Sequence, residues 1–180
     1  MPMQNLVYVL VVFALAVCPA SATAPVPRKS PDLAIAEPTG KLIRLSNYNG
    51  KVVLLDFLVT NCPHCMRVAQ TIAKLQWELG SRGFQSIGVA FDSNVSKEKV
   101  ADFAKLLAVP YPVGYISSDK VDSYLAREAN QRFRVPQIVV IDRSGVIRAQ
   151  SQPIGEKNLE DENYLRNLIE ALLKEKSSGG

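Results

Sequence analysis

Residues 52–65 read Val-Val-Leu-Leu-Asp-Phe-Leu-Val-Thr-Asn-Cys-Pro-His-Cys, and this stretch decides the fold. Residues 52–58 are apolar apart from Asp56, which is typical of a strand that is buried on both faces of a sheet. The segment that follows, residues 63–79, has apolar side chains at helical spacing. Two cysteines, Cys62 and Cys65, therefore lie where a buried strand passes into an amphipathic helix.

This cysteine pair predicts thiol–disulfide chemistry. Cys62 lies at the predicted helix N-cap, where free N–H groups and the helix dipole favour a thiolate, so we expect it to be the attacking thiol. Cys65, one turn further on, is expected to be the buried resolving thiol. His64 is the only histidine in the chain. With Pro63 it completes the tetrapeptide, and in its protonated form it would stabilise the thiolate and make the disulfide more oxidising.

The N-terminal residues predict export. Residues 1–27 carry no charged side chain, Leu6–Val17 is apolar apart from Tyr8, and Ala20-Ser21-Ala22 resembles a signal-peptidase site. We expect a signal peptide over 1–22 and a periplasmic or otherwise exported protein. Two alternatives stay open: an uncleaved membrane anchor, and a lipoprotein attached through Cys18. Cleavage would leave a single pair of cysteines that closes too small a loop to add much stability, which favours a chemical role.

Composition is that of one globular domain. The 180 residues include 47% hydrophobic and 21% charged side chains, with a net charge of +4. The charges are interspersed and no basic stripe carries interleaved aromatic residues, so nucleic acid is not an expected partner. A structural zinc needs four ligands, whereas the processed chain has three cysteine and histidine residues. We expect a monomer without metal or other cofactor, whose redox group is the Cys62–Cys65 disulfide.

Strands and helices alternate along the chain. After a linker over 23–31, the domain is predicted over 32–176, with a flexible tail at 177–180. Strands are predicted over 41–45, 52–58, 84–91, 111–116, 136–142 and 146–150, and helices over 63–79, 96–108, 119–130 and 159–174. This order predicts an α/β fold with a central mixed sheet flanked by helices.

Three segments resemble the thioredoxin fold, in particular its exported TlpA/ResA-like branch. They are residues 42–57, Cys62–Cys65, and Val135-Pro136-Gln137 leading into the apolar residues 138–141 and Asp142. The resemblance implies an N-terminal β-hairpin and one inserted strand–helix unit. The Cys-Pro-His-Cys tetrapeptide itself is similar to that of DsbA-type oxidases. Asn61 stands where relatives have tryptophan, and residues 66–69 lack the glutamate of cytochrome-maturation reductants.

The resemblance also implies further site residues. Asp56 matches the buried aspartate that accepts or relays the proton of the resolving cysteine. Pro136 is expected to follow a cis peptide bond and to pack against the cysteine pair. The backbone of Val135 would then be free to pair with an extended substrate.

We therefore predict a protein thiol–disulfide oxidoreductase. Its partners would be cysteine-containing client proteins and a membrane redox partner that recycles it. His64 and the missing glutamate favour an oxidase or isomerase, whereas the scaffold favours a reductant, including one for cytochrome c maturation. Two other classes stay open, a thiol peroxidase, with Thr60 two residues before Cys62, and a copper- or haem-delivery module.

Overall fold

The computed structural model describes residues 24–128, 131–154 and 158–175. The predicted signal peptide over 1–22 and the tail at 177–180 lie outside these residues. The strands are β1 Arg28–Lys29, β2 Ala34–Ala36, β3 Leu42–Arg44, β4 Val52–Leu58, β5 Phe84–Ala90, β6 Val113–Tyr115, β7 Gln137–Ile141 and β8 Val146–Gln150. The helices are α1 Pro63–Leu79, α2 Lys97–Leu107, α3 Ser118–Leu125 and α4 Glu162–Lys174.

The sheet is mixed, as predicted, and has the strand order β1-β8-β7-β4-β5-β6-β2-β3. At its centre β4 pairs in parallel with β5 and antiparallel with β7. All of β4 is buried, because helices cover both faces of the sheet at this strand. The fold is the predicted thioredoxin fold, with the β2–β3 hairpin at the N-terminal side and α2 and β6 as the inserted unit.

Side-chain alternation in β4 separates two apolar cores. Val52, Leu54 and Leu58 pack with α1 and α4 on one face, whereas Val53, Leu55 and Phe57 pack with α3 on the other. Asp56 belongs by alternation to the first face, and the same core contains Cys65. The sheet thus directs the one acidic side chain of its central strand toward the helix that carries the cysteines.

The sheet has two short strands that the sequence analysis does not predict. Arg28–Lys29 lies within the predicted linker but pairs with β8, so the sheet begins inside that segment. Ala34–Ala36 pairs with both β3 and β6. Arg28–Lys29 contains no apolar side chain and Ala34–Ala36 only one large one, so neither segment has enough hydrophobic pattern to be recognised before its partners are known.

Two helix boundaries also differ from the prediction. α3 ends at Leu125, five residues before the predicted end at Asn130, because Ala126 turns into the left-handed region with φ 52°. Asn130 itself is outside the described residues. α4 begins at Glu162, where Asp161 caps the helix by accepting the N–H of Tyr164 at 2.8 Å. A separate turn of 3₁₀ helix precedes it.

Across residues 24–128, 131–154 and 158–175 we find no helix that combines the length and apolar character of a membrane span.

Candidate active site

Cys62 lies at the junction that the sequence predicts. It is the N-cap of α1, with extended backbone angles of φ −91° and ψ 112°, and Pro63 occupies the first turn. Proline suits this position, because its fixed φ fits a helix start and no N–H is needed there. The N–H of Cys65 donates to Cys62 Sγ at 3.3 Å. The half-buried sulfur thus faces a backbone donor at the positive end of the helix.

Cys65 is buried in the core, in contrast to Cys62. Burial raises the pKa of its thiol above the ordinary value, and the Cys62 and Asp56 charges act in the same direction. A hydrogen bond with the Val59 backbone opposes these effects. Both thiols are free in the structure. The pair is therefore asymmetric, with one sulfur near the surface and one that stays protonated until a nearby group accepts its proton.

Asp56 is completely buried on the same face of the sheet. Neither of its carboxyl oxygens has a hydrogen-bond partner among the described residues. Burial raises the pKa of this carboxyl from 3.8 to about 8, because no donor compensates the ionised form for the lost water. Asp56 is thus suited to hold or accept a proton near neutral pH, next to the thiol whose charge it influences. Its relay role remains a prediction.

Val135 and Pro136 lie at the same edge of the sheet as the cysteine loop. The antiparallel register pairs Phe57 with Gln137, so the two preceding residues lie beside the end of β4. The Val135–Pro136 peptide bond is cis, as the sequence predicts. Val135 is half-buried and touches both apolar cores, while Pro136 is buried. The assignment of these residues to substrate binding remains a prediction.

His64 has two partners that the sequence analysis did not find. Its Nε2 lies 2.8 Å from Oε2 of Glu160, and its Nδ1 lies 3.2 Å from Nη2 of Arg67. The His64 side chain is 33% exposed and that of Glu160 only 13%. Glu160 is separated from His64 by 96 positions, so no local pattern could connect them. Arg67, three residues after His64 on α1, is detectable from helical spacing alone.

The Redoxin family profile matches residues 22–169. The chain belongs to the Redoxin family. Among solved structures, that of a candidate protein disulfide isomerase from Bacteroides thetaiotaomicron is 30% identical to this redoxin. The alignment covers 84% of this chain and 91% of that chain, with a TM-score of 0.70. Family membership and the cysteine pair together confirm that this redoxin is a thiol–disulfide oxidoreductase.

Two further solved structures share the fold of this redoxin. A thiol:disulfide interchange protein from Chlorobium tepidum is 21% identical, with a TM-score of 0.68 over 83% of this chain and 99% of that chain. A candidate thioredoxin from Neisseria meningitidis is 24% identical, with a TM-score of 0.66 over 84% of this chain and 93% of that chain.

The loop before Cys62 is held by Asp92, another residue that the sequence analysis missed in this redoxin. The Thr60 N–H lies 3.1 Å from each Asp92 carboxylate oxygen, and the Thr60 hydroxyl donates to one of them at 3.3 Å. Asp92 follows β5, the parallel neighbour of β4, so the two residues meet at the carboxyl edge of the sheet. This contact fixes the backbone that leads into the attacking cysteine.

An open cavity of about 740 Å³ lies beside this loop of the redoxin. Apolar side chains of α1 and α2 line it, namely Met66, Phe103 and Leu106, together with the polar residues Thr60, Asn61 and Asp92 and the charged α2 residues Lys99, Asp102 and Lys105. Leu106 is 71% exposed, so part of an apolar surface next to the cysteine pair faces solvent. This surface offers room for a polypeptide segment near the attacking sulfur.

Proposed function

We propose that this redoxin exchanges thiols and disulfides with cysteine-containing client proteins through the Cys62–Cys65 pair. One observation carries the proposal: a half-buried cysteine at a helix N-cap is followed, one turn on, by a buried cysteine in the core on the face of the sheet to which the buried Asp56 belongs. This arrangement supports separate roles in attack and resolution. The first thiol is half-buried, whereas the second is buried and the charge of Asp56 helps to raise its pKa.

In the reducing direction the Cys62 thiolate attacks a client disulfide. One client sulfur leaves as a thiolate, and a mixed disulfide joins Cys62 to the other. Cys65 then gives its proton to the Asp56 carboxylate and attacks Cys62, which releases the second client thiolate. The enzyme pair ends as a disulfide, and the client has gained two electrons. Because burial raises the pKa of Asp56 to about 8, its carboxylate is basic enough to take this proton.

The oxidising direction runs through the same intermediate. A client thiolate attacks Cys62 of the enzyme disulfide, and Cys65 leaves and takes up the proton that Asp56 holds. A second client thiolate then attacks the client sulfur of the mixed disulfide and frees Cys62. An extended client segment would be held by the backbone of Val135, with the cavity beside Thr60 and Asn61 accommodating its side chains.

The oxidising direction, as an oxidase or isomerase, is supported by the Cys-Pro-His-Cys tetrapeptide. A reductant of the TlpA/ResA type, including one for cytochrome c maturation, is the second candidate, and the Glu160 carboxylate beside His64 favours it. Negative charge near the pair disfavours the thiolate that reduction creates. The equilibrium constant with glutathione decides between the two. A potential near that of thioredoxin, about −270 mV, would exclude the oxidase, and one near that of DsbA, about −120 mV, would exclude the reductant.

Exchange itself is tested with a two-cysteine peptide in its reduced and its disulfide forms. The oxidised protein should convert the dithiol peptide to the disulfide, or the reduced protein should do the reverse, with the enzyme pair changing state in equal amount. Mass spectrometry after acid quenching and alkylation measures both partners. Absence of any exchange with wild-type protein, while free glutathione exchanges under the same conditions, would refute the proposed function.

The export that the leader predicts completes the proposal. An exported protein of this kind would be recycled by a redox partner in the membrane, which renews its disulfide or its dithiol. The apolar run at Leu6–Val17 followed by Ala20-Ser21-Ala22 supports this location. Fractionation of cells that produce the full chain, with alkylation of exposed thiols before lysis, tests it. Protein found only in the cytoplasmic fraction would contradict export.

A further inference from the structure

Glu160 is held firmly beside the active site. It lies in the 3₁₀ turn Asn158–Glu160, directly before α4. On one side of it Leu159 is buried in the core, and on the other Asp161 caps the helix through the N–H of Tyr164. The side chain of Glu160 is only 13% exposed and reaches Nε2 of His64 at 2.8 Å. The carboxylate is therefore positioned by the backbone on both sides of it.

The two contacts of His64 assign the position of its proton. Arg67 can only donate, because a guanidinium group has no acceptor atom. The His64 Nδ1, at 3.2 Å from Arg67 Nη2, must then present its lone pair. The ring proton is consequently on Nε2, from which it is donated to the Glu160 carboxylate. A second proton on Nδ1 would point at the guanidinium group and break this contact.

We propose that Glu160 and Arg67 hold His64 as the neutral Nε2–H tautomer, and that the Glu160 carboxylate makes the Cys62–Cys65 disulfide less oxidising than its tetrapeptide alone would be. The proposal rests on the thiol–disulfide exchange argued above. Glu160 acts as a positioning and tuning residue that does not touch the reacting sulfurs.

The charges around the ring explain the direction of this effect. A neutral ring places no full positive charge near the Cys62 thiolate. Arg67 is exposed, so water and ions screen its charge, whereas Glu160 is largely buried and screened less. The carboxylate therefore dominates the balance. Its negative potential disfavours a thiolate at Cys62, and with it the reduced pair, relative to the neutral disulfide.

The first test is the glutathione equilibrium of Glu160→Gln, which keeps the shape of the side chain and removes its charge. The ratio [GSH]²/[GSSG] at which half of the pair is reduced should fall about three- to tenfold, equivalent to about 15–30 mV. Glu162→Gln is the matched control, because Glu162 pairs with Lys74 and Arg166 rather than with His64. This control should leave the ratio unchanged. No change in Glu160→Gln, or an equal change in both variants, would overturn the proposal.

The second test observes the ring directly. The chain has one histidine, so ¹⁵N-histidine labelling of untagged protein gives the signals of one imidazole. At neutral pH the reduced wild type should show a protonated Nε2 and an unprotonated Nδ1. Arg67→Gln should shift both signals toward the imidazolium form, because it removes the positive charge beside Nδ1 that disfavours a second ring proton. An imidazolium spectrum in the wild type would refute the tautomer assignment. Identical histidine spectra for the wild type and Arg67→Gln would refute it as well.

These measurements separate two kinds of failure. If wild-type protein does not equilibrate with glutathione, the proposed exchange function is wrong, while the spectrum still tests the tautomer. If the wild type equilibrates and Glu160→Gln behaves as the wild type does, exchange stands and the tuning role of Glu160 is wrong. Circular dichroism of both variants shows whether the fold around the turn is kept. Arg67 is exposed, so Arg67→Gln tests the assignment even if Glu160→Gln fails to fold.

Discussion

Replacing Asp56 with asparagine should stabilise the reduced protein by an amount that increases from acid to neutral pH. The wild-type carboxyl is completely buried and has no hydrogen-bond partner among the described residues. Asparagine is similar in shape and cannot ionise. The substitution therefore removes the one group of the central strand whose protonation differs strongly between the folded and the unfolded chain.

The size of the effect follows from linkage. Burial raises the pKa of Asp56 from 3.8 to about 8, so between these pH values the folded chain keeps a proton that the unfolded chain has lost. The stability that this retained proton contributes is fully present below the unfolded pKa of 3.8. It is lost as the pH rises through the folded pKa of about 8. The slope is about 1.4 kcal/mol per pH unit. Between pH 5 and pH 7 the gain from Asp56→Asn should therefore grow by about 3 kcal/mol.

Urea unfolding at pH 5, 6 and 7, with both thiols kept reduced, measures this difference. Circular dichroism is the better probe, because the only tryptophan, Trp77, is 74% exposed and its fluorescence would report the core poorly. Asp102→Asn on α2 is the control, since it removes an exposed carboxylate. Parallel stability curves for the wild type and Asp56→Asn across this pH range would show that the carboxyl is not protonated in the folded chain, and the argument from burial would be refuted.

Three further predictions concern the loop, the pair and the sheet. Cys65→Ser should accumulate mixed disulfides with client proteins on non-reducing gels, because the resolving thiol is gone. Cys62→Ser should form no mixed disulfides and should lose all exchange, and mixed disulfides in this variant would reverse the assigned roles. Asp92→Ala should destabilise the protein by about 1–3 kcal/mol in urea unfolding and slow peptide exchange, because the N–H and hydroxyl of Thr60 lose their acceptor; wild-type values for both would contradict a role in fixing the loop. Gly114→Ala should destabilise the sheet by about 2 kcal/mol or more in thermal unfolding, because the new methyl group would lie 2.5 Å from a carbonyl oxygen of β2; an unchanged melting temperature would show that β2 can move aside.

Elements with a strong local signal were predictable residue by residue. β4 has the predicted bounds because a seven-residue apolar run after the turn at Gly50 is short for a buried helix and typical of a strand buried on both faces. α1 also has its predicted bounds, Pro63–Leu79, since the proline favours a helix start and a glycine follows the last residue. The turn at residues 143–145, which separates the strands predicted over 136–142 and 146–150, contains Gly145, and this glycine adopts φ 76°. In each case the residues that decide the structure are neighbours in the chain.

Other elements depend on partners that are remote in sequence. The pairing of Arg28–Lys29 with β8 joins residues more than 100 positions apart, and two residues alone carry no strand pattern. The end of α3 depends on a left-handed Ala126, a conformation that alanine has no intrinsic tendency to adopt. Such positions are set by packing rather than by propensity.

The sequence by itself determined the chemistry of this redoxin and the scaffold that presents it, since the cysteine spacing, the apolar strand and the helix start all act within a few residues of each other. Only the tertiary structure decided which charged and buried groups surround the two cysteines. Folding brings the Glu160 carboxylate to His64 and Asp92 to the loop before Cys62, and it removes Asp56 from water. Charge and desolvation act through space, so their effect on a thiol is determined once distant segments have been packed against it.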